Sequence, residues 1–110
     1  MGKFAVGEVV LVSFPFSNLQ GQKKRPALVI AKAEFGNLIL CQITSKPYAS
    51  KLAKKIDQNS FKKGKLPVIS FARPDKLFTA DLSIISKSTG ELKTNATASI
   101  LSSVRALFTI

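Results

Sequence analysis

Few residues in this chain have the type and spacing to do chemistry: Arg25, the hydroxyl pair Thr44-Ser45, and Arg73 with Asp75 two positions on. Arg25 ends the basic run Lys23-Lys24-Arg25, which follows a polar, glycine-containing stretch and leads into an apolar segment. A guanidinium there can grip a phosphate through two parallel hydrogen bonds; binding solvent or a carboxylate is the other use of such an arginine. Thr44 and Ser45 place hydroxyls where an apolar segment ends. Without an activating base they orient and stabilise rather than attack, and their spacing also fits a strand edge turning into a loop. In an extended segment Arg73 and Asp75 point to the same face.

What is missing narrows the chemistry further. The chain has no histidine and one cysteine, which excludes zinc sites, Ser-His-Asp triads and RNA cleavage by paired histidines. Neither a GxGxxG nor a Walker A sequence occurs. The six acidic residues contain no tightly spaced pair, against a two-carboxylate glycosidase or a two-metal nuclease. Any reaction must therefore use Arg, Lys, Asp, Glu, Ser and Thr, with no metal and no cofactor expected. Cys41, inside the apolar run Leu38-Ile39-Leu40, reads as a small core residue, since no histidine exists to activate it.

Seventeen Lys plus Arg against six Asp plus Glu give a net charge of +11. A balance this basic favours a polyanionic partner: RNA, DNA or an acidic protein. The lysines cluster at Lys23-Lys24, at Lys51, Lys54 and Lys55, and at Lys62, Lys63 and Lys65, which suggests a field rather than a scatter. Apolar residues make up 45% of the 110 positions and run along the whole length, so one folded domain over 1–110 is expected. No run approaches the roughly 18 apolar residues of a membrane span, and the N-terminus has no apolar signal region. A soluble, cytoplasmic protein is expected.

The elements that must position these residues are mostly short strands. Residues 8–14 (EVVLVSF) read as a strand ending at Pro15, followed by an exposed loop over 17–24. Residues 26–32 and 38–44 read as two more strands. They are joined by Phe35-Gly36-Asn37, which can supply positive φ, and so pair as a hairpin. After an irregular basic segment over 46–55, short strands are expected near Ile56, over 68–72 and around 82–85. From 94 to 108 the apolar residues Ile100, Leu101, Val104, Leu107 and Phe108 recur at helical spacing, with Thr94 or Asn95 as cap. Many short strands and one closing helix, with no βαβ alternation, give a mainly β (α+β) fold: a small SH3-like antiparallel β-barrel with a C-terminal α-helix.

Within this layout the run Gly7-Glu8-Val9-Val10-Leu11-Val12, then Phe14-Pro15-Phe16, a polar loop, and Lys24-Arg25-Pro26-Ala27-Leu28-Val29-Ile30 resembles the N-terminal signature of PemK/MazF toxins. The block Gln42-Ile43-Thr44-Ser45-Lys46 is similar to the strand end where that family carries a Thr-Ser or Thr-Ala pair. The likeness continues through Arg73-Pro74-Asp75-Lys76-Leu77-Phe78-Thr79 to Gly90-Glu91-Leu92 and the final helix, covering essentially the whole chain. It implies a CcdB/PemK-like barrel that forms a homodimer. It also implies a toxin of a type II toxin–antitoxin system: a metal-independent, sequence-selective endoribonuclease. Such a toxin cuts single-stranded RNA by 2′-OH attack, leaves 2′,3′-cyclic phosphate and 5′-OH ends, and blocks translation and growth. A cognate acidic antitoxin protein is the implied partner.

By that resemblance Arg25, Thr44, Arg73 and Asp75 are the catalytic residues and Ser45 contacts RNA. By position and charge Lys24, Lys46, Gln22, Lys23 and Gln20 are candidate RNA contacts, and Tyr48 is either a base-stacking residue or an exposed loop aromatic. In similar toxins the Arg-x-Asp positions act as acid and base. An Asp beside Arg has its pKa lowered, and arginine, with a pKa above about 12, gives up a proton reluctantly. Asp75 is therefore expected to be a partly desolvated base and Arg73 to act by charge, with Glu8 as the alternative base. One departure stands out: the branch with this Arg-x-Asp step also uses a loop histidine after the first strand, and this loop has none. Two other readings fit the same barrel. One is a CcdB-like gyrase poison, which needs no Arg-Thr-Asp constellation. The other is an inactive nucleic-acid-binding module.

Overall fold

The computed structural model describes residues 4–15, 22–46 and 51–109. Among them, β1 (Glu8–Pro15), β2 (Gln22–Lys32), β3 (Leu38–Thr44), β4 (Lys54–Ile56), β5 (Phe61–Gly64), β6 (Ser70–Ala80) and β7 (Ile85–Leu92) form one sheet in the order β4-β6-β3-β2-β1-β7-β5. Every pairing is antiparallel. With α1 (Thr94–Ala106) the result is a half-barrel closed by one C-terminal helix, the expected fold class. No helix among the described residues is long and apolar enough to cross a membrane.

The sheet is buried on both faces. Val9, Leu28, Cys41, Ile43 and Ala72 point inward, where Ile56, Phe61, Leu92 and the helix residues Ile100 and Val104 pack on them. Val10, Val12, Ala27, Val29 and Leu40 point the other way, under Phe4, Phe78, Leu82, Ile84 and Ile85. Alternate residues of one strand thus enter different cores, which is why β1 to β3 read as continuous apolar runs rather than as a clean alternation.

Several boundaries differ from the sequence reading, for local reasons. The β1–β2 ladder continues to the Pro15–Gln22 rung, so Gln22, Lys23 and Lys24 belong to a strand and not to the loop. The β2–β3 hairpin turns through a 3-10 turn over Glu34–Gly36, with positive φ at both Phe35 and Gly36. The strand expected at 68–72 starts at Ser70 and runs on through Pro74 to Ala80. The stretch 82–85 is a 3-10 turn over Leu82–Ile84, capped by the Asp81 carboxylate, which accepts the Ser83 N–H at 2.8 Å; β7 begins only at Ile85. Neither Thr94 nor Asn95 caps α1. Lys93 takes that place directly after buried Leu92, held by its N–H to the Ser60 carbonyl at 2.8 Å. The helix stops at Ala106, leaving Leu107 and Phe108 exposed.

Two departures shape the surroundings of the candidate residues. Cys41 faces Leu77 while Ile43 faces Ala72, so Gln42 alone spans residues 73–76 of β6. This wide bulge accommodates Pro74, which a regular ladder would reject, and Pro74 itself is fully buried. At the other end of the sheet β5 and β7 cross at the Gly64–Gly90 rung. A Cβ on Gly64 would collide with the Thr89 carbonyl oxygen, and Gly64 also has φ of 77°. Gly64→Ala should therefore lower stability by about 2 kcal/mol or more, read as a fall in the urea midpoint; an unchanged midpoint would show that the crossing relaxes freely.

Candidate functional site

The inner strands β2 and β3 carry apolar residues on both faces, and the charge of the site gathers beyond the last rung between them. Beyond the Ala27–Gln42 rung the β2–β3 ladder stops, and Pro26 has no N–H with which to continue it. The register, carried two residues further, sets Arg25 across from Thr44. At this end a groove of about 580 Å³ opens. Lys24, Arg25, Thr44, Ser45, Lys46 and Ser70 supply its polar lining, and Leu11, Pro26, Ile43, Leu66, Pro67 and Val68 the apolar lining. Lys24, Arg25, Ser45 and Lys46 are exposed and Thr44 is half-buried. The Thr44 hydroxyl accepts the Lys46 N–H at 3.2 Å, which turns the chain at the end of β3 and leaves the hydroxyl proton to donate elsewhere. Among the described residues no carboxylate lines the groove. Its charges are two lysines and an arginine, an anion site by composition.

The groove thus brings together five of the eleven site residues expected from the sequence: Lys24, Arg25, Thr44, Ser45 and Lys46. Arg73 and Asp75 do not line it. They sit on the β6 bulge two and four residues beyond Phe71, the partner of Thr44 across the β3–β6 ladder. Gln22 and Lys23 lie on β2 at the same strand end. Tyr48 and Gln20 fall outside the described residues. The Leu66–Val68 wall and Ser70 were missed by the sequence reading; the signal available was an apolar pair, Val68-Ile69, following a proline in a lysine-rich stretch.

Arg73 and Asp75 form a fork-to-fork pair, with Nε to Oδ1 at 3.0 Å and Nη2 to Oδ2 at 2.9 Å. The hydrogen bonds from Arg73 hold the Asp75 carboxyl below its ordinary range; partial burial pushes the other way and loses. The same bonds raise Arg73 above its ordinary value. A desolvated Asp75 poised as a base is therefore not what the structure shows: its side chain is 33% exposed and its charge is stabilised. Beneath the pair, the Cys41 thiol donates to the Arg73 carbonyl at 3.1 Å, and burial pushes that thiol up to about 12. Cys41 is a core residue that pins the bulge.

The other five carboxylates are placed elsewhere. Glu8, the alternative base, accepts the Ala5 N–H at 2.6 Å and the Ser88 hydroxyl at 2.9 Å, at the far end of β1 from the groove. Asp57 and Asp81 cap 3-10 turns, Glu91 pairs with Lys62 and Lys63, and Glu34 lies in the β2–β3 turn. Among the described residues no group of three or more His, Cys, Asp or Glu could hold a metal ion.

Comparison with known proteins agrees with this fold. Residues 5–108 match the family described as PemK-like, MazF-like toxin of type II toxin–antitoxin systems. No curated protein sequence matches the chain. Among solved structures, the chain is similar to MazF of a MazE–MazF crystal structure from Deinococcus radiodurans, with 19% identity over 93% of this chain and 92% of that one and a TM-score of 0.72. It is also similar to a mycobacterial endoribonuclease in complex with its cognate antitoxin, with 12% identity, 96% and 93% coverage and a TM-score of 0.69. The Mycobacterium tuberculosis toxin MazF-mt6 has 14% identity, 90% and 95% coverage and a TM-score of 0.66. At these identities the likeness is one of fold.

The ion pair makes a pH prediction. A carboxyl whose folded pKa is depressed contributes stability above its unfolded pKa of about 3.9, and loses it as pH falls through the lower folded value. The stability difference between the protein and Asp75→Asn should therefore be flat from pH 5 to 8 and shrink below about pH 4 in urea melts. A difference that changes between pH 5 and 8 would mean that Asp75 titrates there.

Proposed function

This chain belongs to the PemK-like, MazF-like toxins of type II toxin–antitoxin systems, and we propose that it is an endoribonuclease that cuts single-stranded RNA in the groove at the open end of the half-barrel. The observation that carries this reading is the lining itself: Arg25, Thr44, Ser45, Lys24 and Lys46 converge with no carboxylate among them. Such a lining attracts an anion and offers donors to the non-bridging oxygens of a phosphodiester.

In the proposed reaction a ribose 2′-OH gives its proton to a base, and the 2′-oxygen attacks the adjacent phosphorus. The bond from phosphorus to the 5′-oxygen breaks, and that oxygen takes a proton from solvent. The products are a 2′,3′-cyclic phosphate and a 5′-hydroxyl. Arg25 neutralises the charge that builds on the non-bridging oxygens, and Thr44 donates its free hydroxyl proton to one of them. Ser45, Lys24 and Lys46 hold the neighbouring nucleotides, with Gln22 and Lys23 at the strand end and Tyr48 beyond it. Asp75, on the β6 bulge just beyond the groove lining, is the carboxylate nearest along the ladder to Thr44 that is not tied to a turn or a lysine, and it serves as base for a ribose that reaches from the groove toward β6. Its depressed pKa makes it a weak one, so charge at the phosphate must carry most of the rate. When Asp75 takes the proton its pair with Arg73 loses the counter-charge, and the guanidinium is released toward the developing anion.

Two partners complete the proposal. The mycobacterial neighbour is bound to its cognate antitoxin and the Deinococcus MazF to MazE. We expect an acidic antitoxin segment to cover this groove by charge complementarity, and the toxin to act as a homodimer in the cytoplasm.

The test is incubation of the protein with a long single-stranded RNA in EDTA, with fragment ends mapped. Discrete cuts with cyclic phosphate ends are expected, slowed about a hundredfold or more in Arg25→Ala and about tenfold or more in Thr44→Ala. Cuts of unchanged rate in both variants would remove these residues from the site. Intact RNA with folded protein and inhibited DNA gyrase would support the gyrase-poison reading instead.

A further inference from the structure

Residues 66–69, between β5 and β6, form a ridge with a cleft on each side. One is the groove; the other is a smaller cleft of about 190 Å³ lined by Asp57, Gln58, Leu66, Pro67, Val68 and Ile69. The two share Leu66, Pro67 and Val68, so a chain lying in the first can cross the ridge directly into the second. Val68 and Ile69 are 56% and 53% exposed, large apolar side chains that no core claims. We propose that the second cleft is a nucleobase subsite, in which the Val68-Ile69 ridge packs on one base of the bound RNA and the Gln58 amide reads that base's edge.

Size, chemistry and rigidity argue for this occupant. A groove of about 580 Å³ lies within the range of about 300 to 1,000 Å³ that holds whole small ligands, whereas 190 Å³ falls below it and suits a single ring. An amide offers a donor and an acceptor side by side, as an exposed base edge requires. Among the described residues the Gln58 side chain has no hydrogen-bond partner, and it sits on a fixed turn. The Asp57 carboxylate accepts the Asn59 N–H at 3.0 Å, and the Ser60 hydroxyl accepts the Asp57 N–H at 3.1 Å. The ridge is fixed too, by the Ser70 hydroxyl donating to the Val68 carbonyl at 3.0 Å. Lys54 and Lys55 on β4 and Lys62 and Lys63 on β5 flank the turn, so a polyanion approaching the cleft meets complementary charge. A purely apolar peptide would leave both the lysines and the amide unused.

This inference rests on the groove taking single-stranded RNA, and it can be tested apart from cleavage. Labelled single-stranded oligonucleotides with every ribose 2′-O-methylated, differing in one base at one position, are titrated against the protein, Gln58→Ala and Ile69→Ala by fluorescence anisotropy. Neither residue lines the groove. At one position along the strand, affinity for the protein should vary with the base by about fivefold to a hundredfold. Both variants should reduce that spread to under about twofold and leave binding of the weakest base unchanged, with urea midpoints held as a folding control. The same spread in all three proteins would overturn the proposal, as would no base dependence in the protein itself. A loss equal for every base would overturn it too, since the two residues would then act on the strand whatever its sequence. Intact base discrimination without any RNA cutting would instead remove the nuclease reading and leave the subsite standing.

Discussion

Burial of the sheet on both faces is the constraint from which the site follows. Val9 and Val10 are neighbours in sequence and both fully buried, one in each core. A lysine or arginine in mid-strand would have to leave water for an apolar core, at a cost no nearby partner offsets. Lys24, Arg25 and Lys46 of the groove accordingly lie beyond the last rung that pairs β2 with β3. There Pro26 cannot extend the β2–β3 ladder, and the strand ends diverge into a groove. Arg25 and Thr44 reach the same groove because the register upstream, with Leu28 against Cys41, brings the two strand ends to one place.

A second tier of structure supports the first. The β6 bulge spends four residues opposite one on β3, and in return presents Arg73 and Asp75 as a prealigned pair. Two buried groups fix that bulge: the Pro74 ring and the Cys41 thiol bonded to the Arg73 carbonyl. The lone cysteine, inert as a nucleophile at a pKa of about 12, thus has a definite structural task. Asp75, held ionised by its partner, is suited to balancing charge more than to strong basicity.

Local signals made a large part of this legible in the sequence. The apolar runs of β1, β2 and β3 and the spacing of Ile100 and Val104 are local features, and each lies where expected. The roles of Arg25 and Thr44 came from family resemblance, since their types alone fit a loop arginine and a strand edge equally well. What stayed hidden was non-local. β5 (FKKG) has no apolar alternation and is a strand only because Gly64 and Gly90 allow β7 to approach. A proline normally argues against a strand interior, and only the bulge makes Pro74 acceptable there. The wall over 66–68 faces the groove because of where Ser70 joins β6, a fact of the fold and not of those residues. The cap of α1 was missed because a contact to Ser60, thirty-three residues upstream of Lys93, fixes the start of the helix.

The central claim is that the scissile phosphate lies between Arg25 and Thr44. A crystal structure of the protein with a short, fully 2′-O-methylated single-stranded RNA tests it most directly. The account predicts one phosphate within about 2.7 to 3.0 Å of both the Arg25 guanidinium and the Thr44 hydroxyl, with the strand running on over the residue 66–69 ridge. RNA bound along α1 or the outer face of the sheet, with that groove empty, would contradict it.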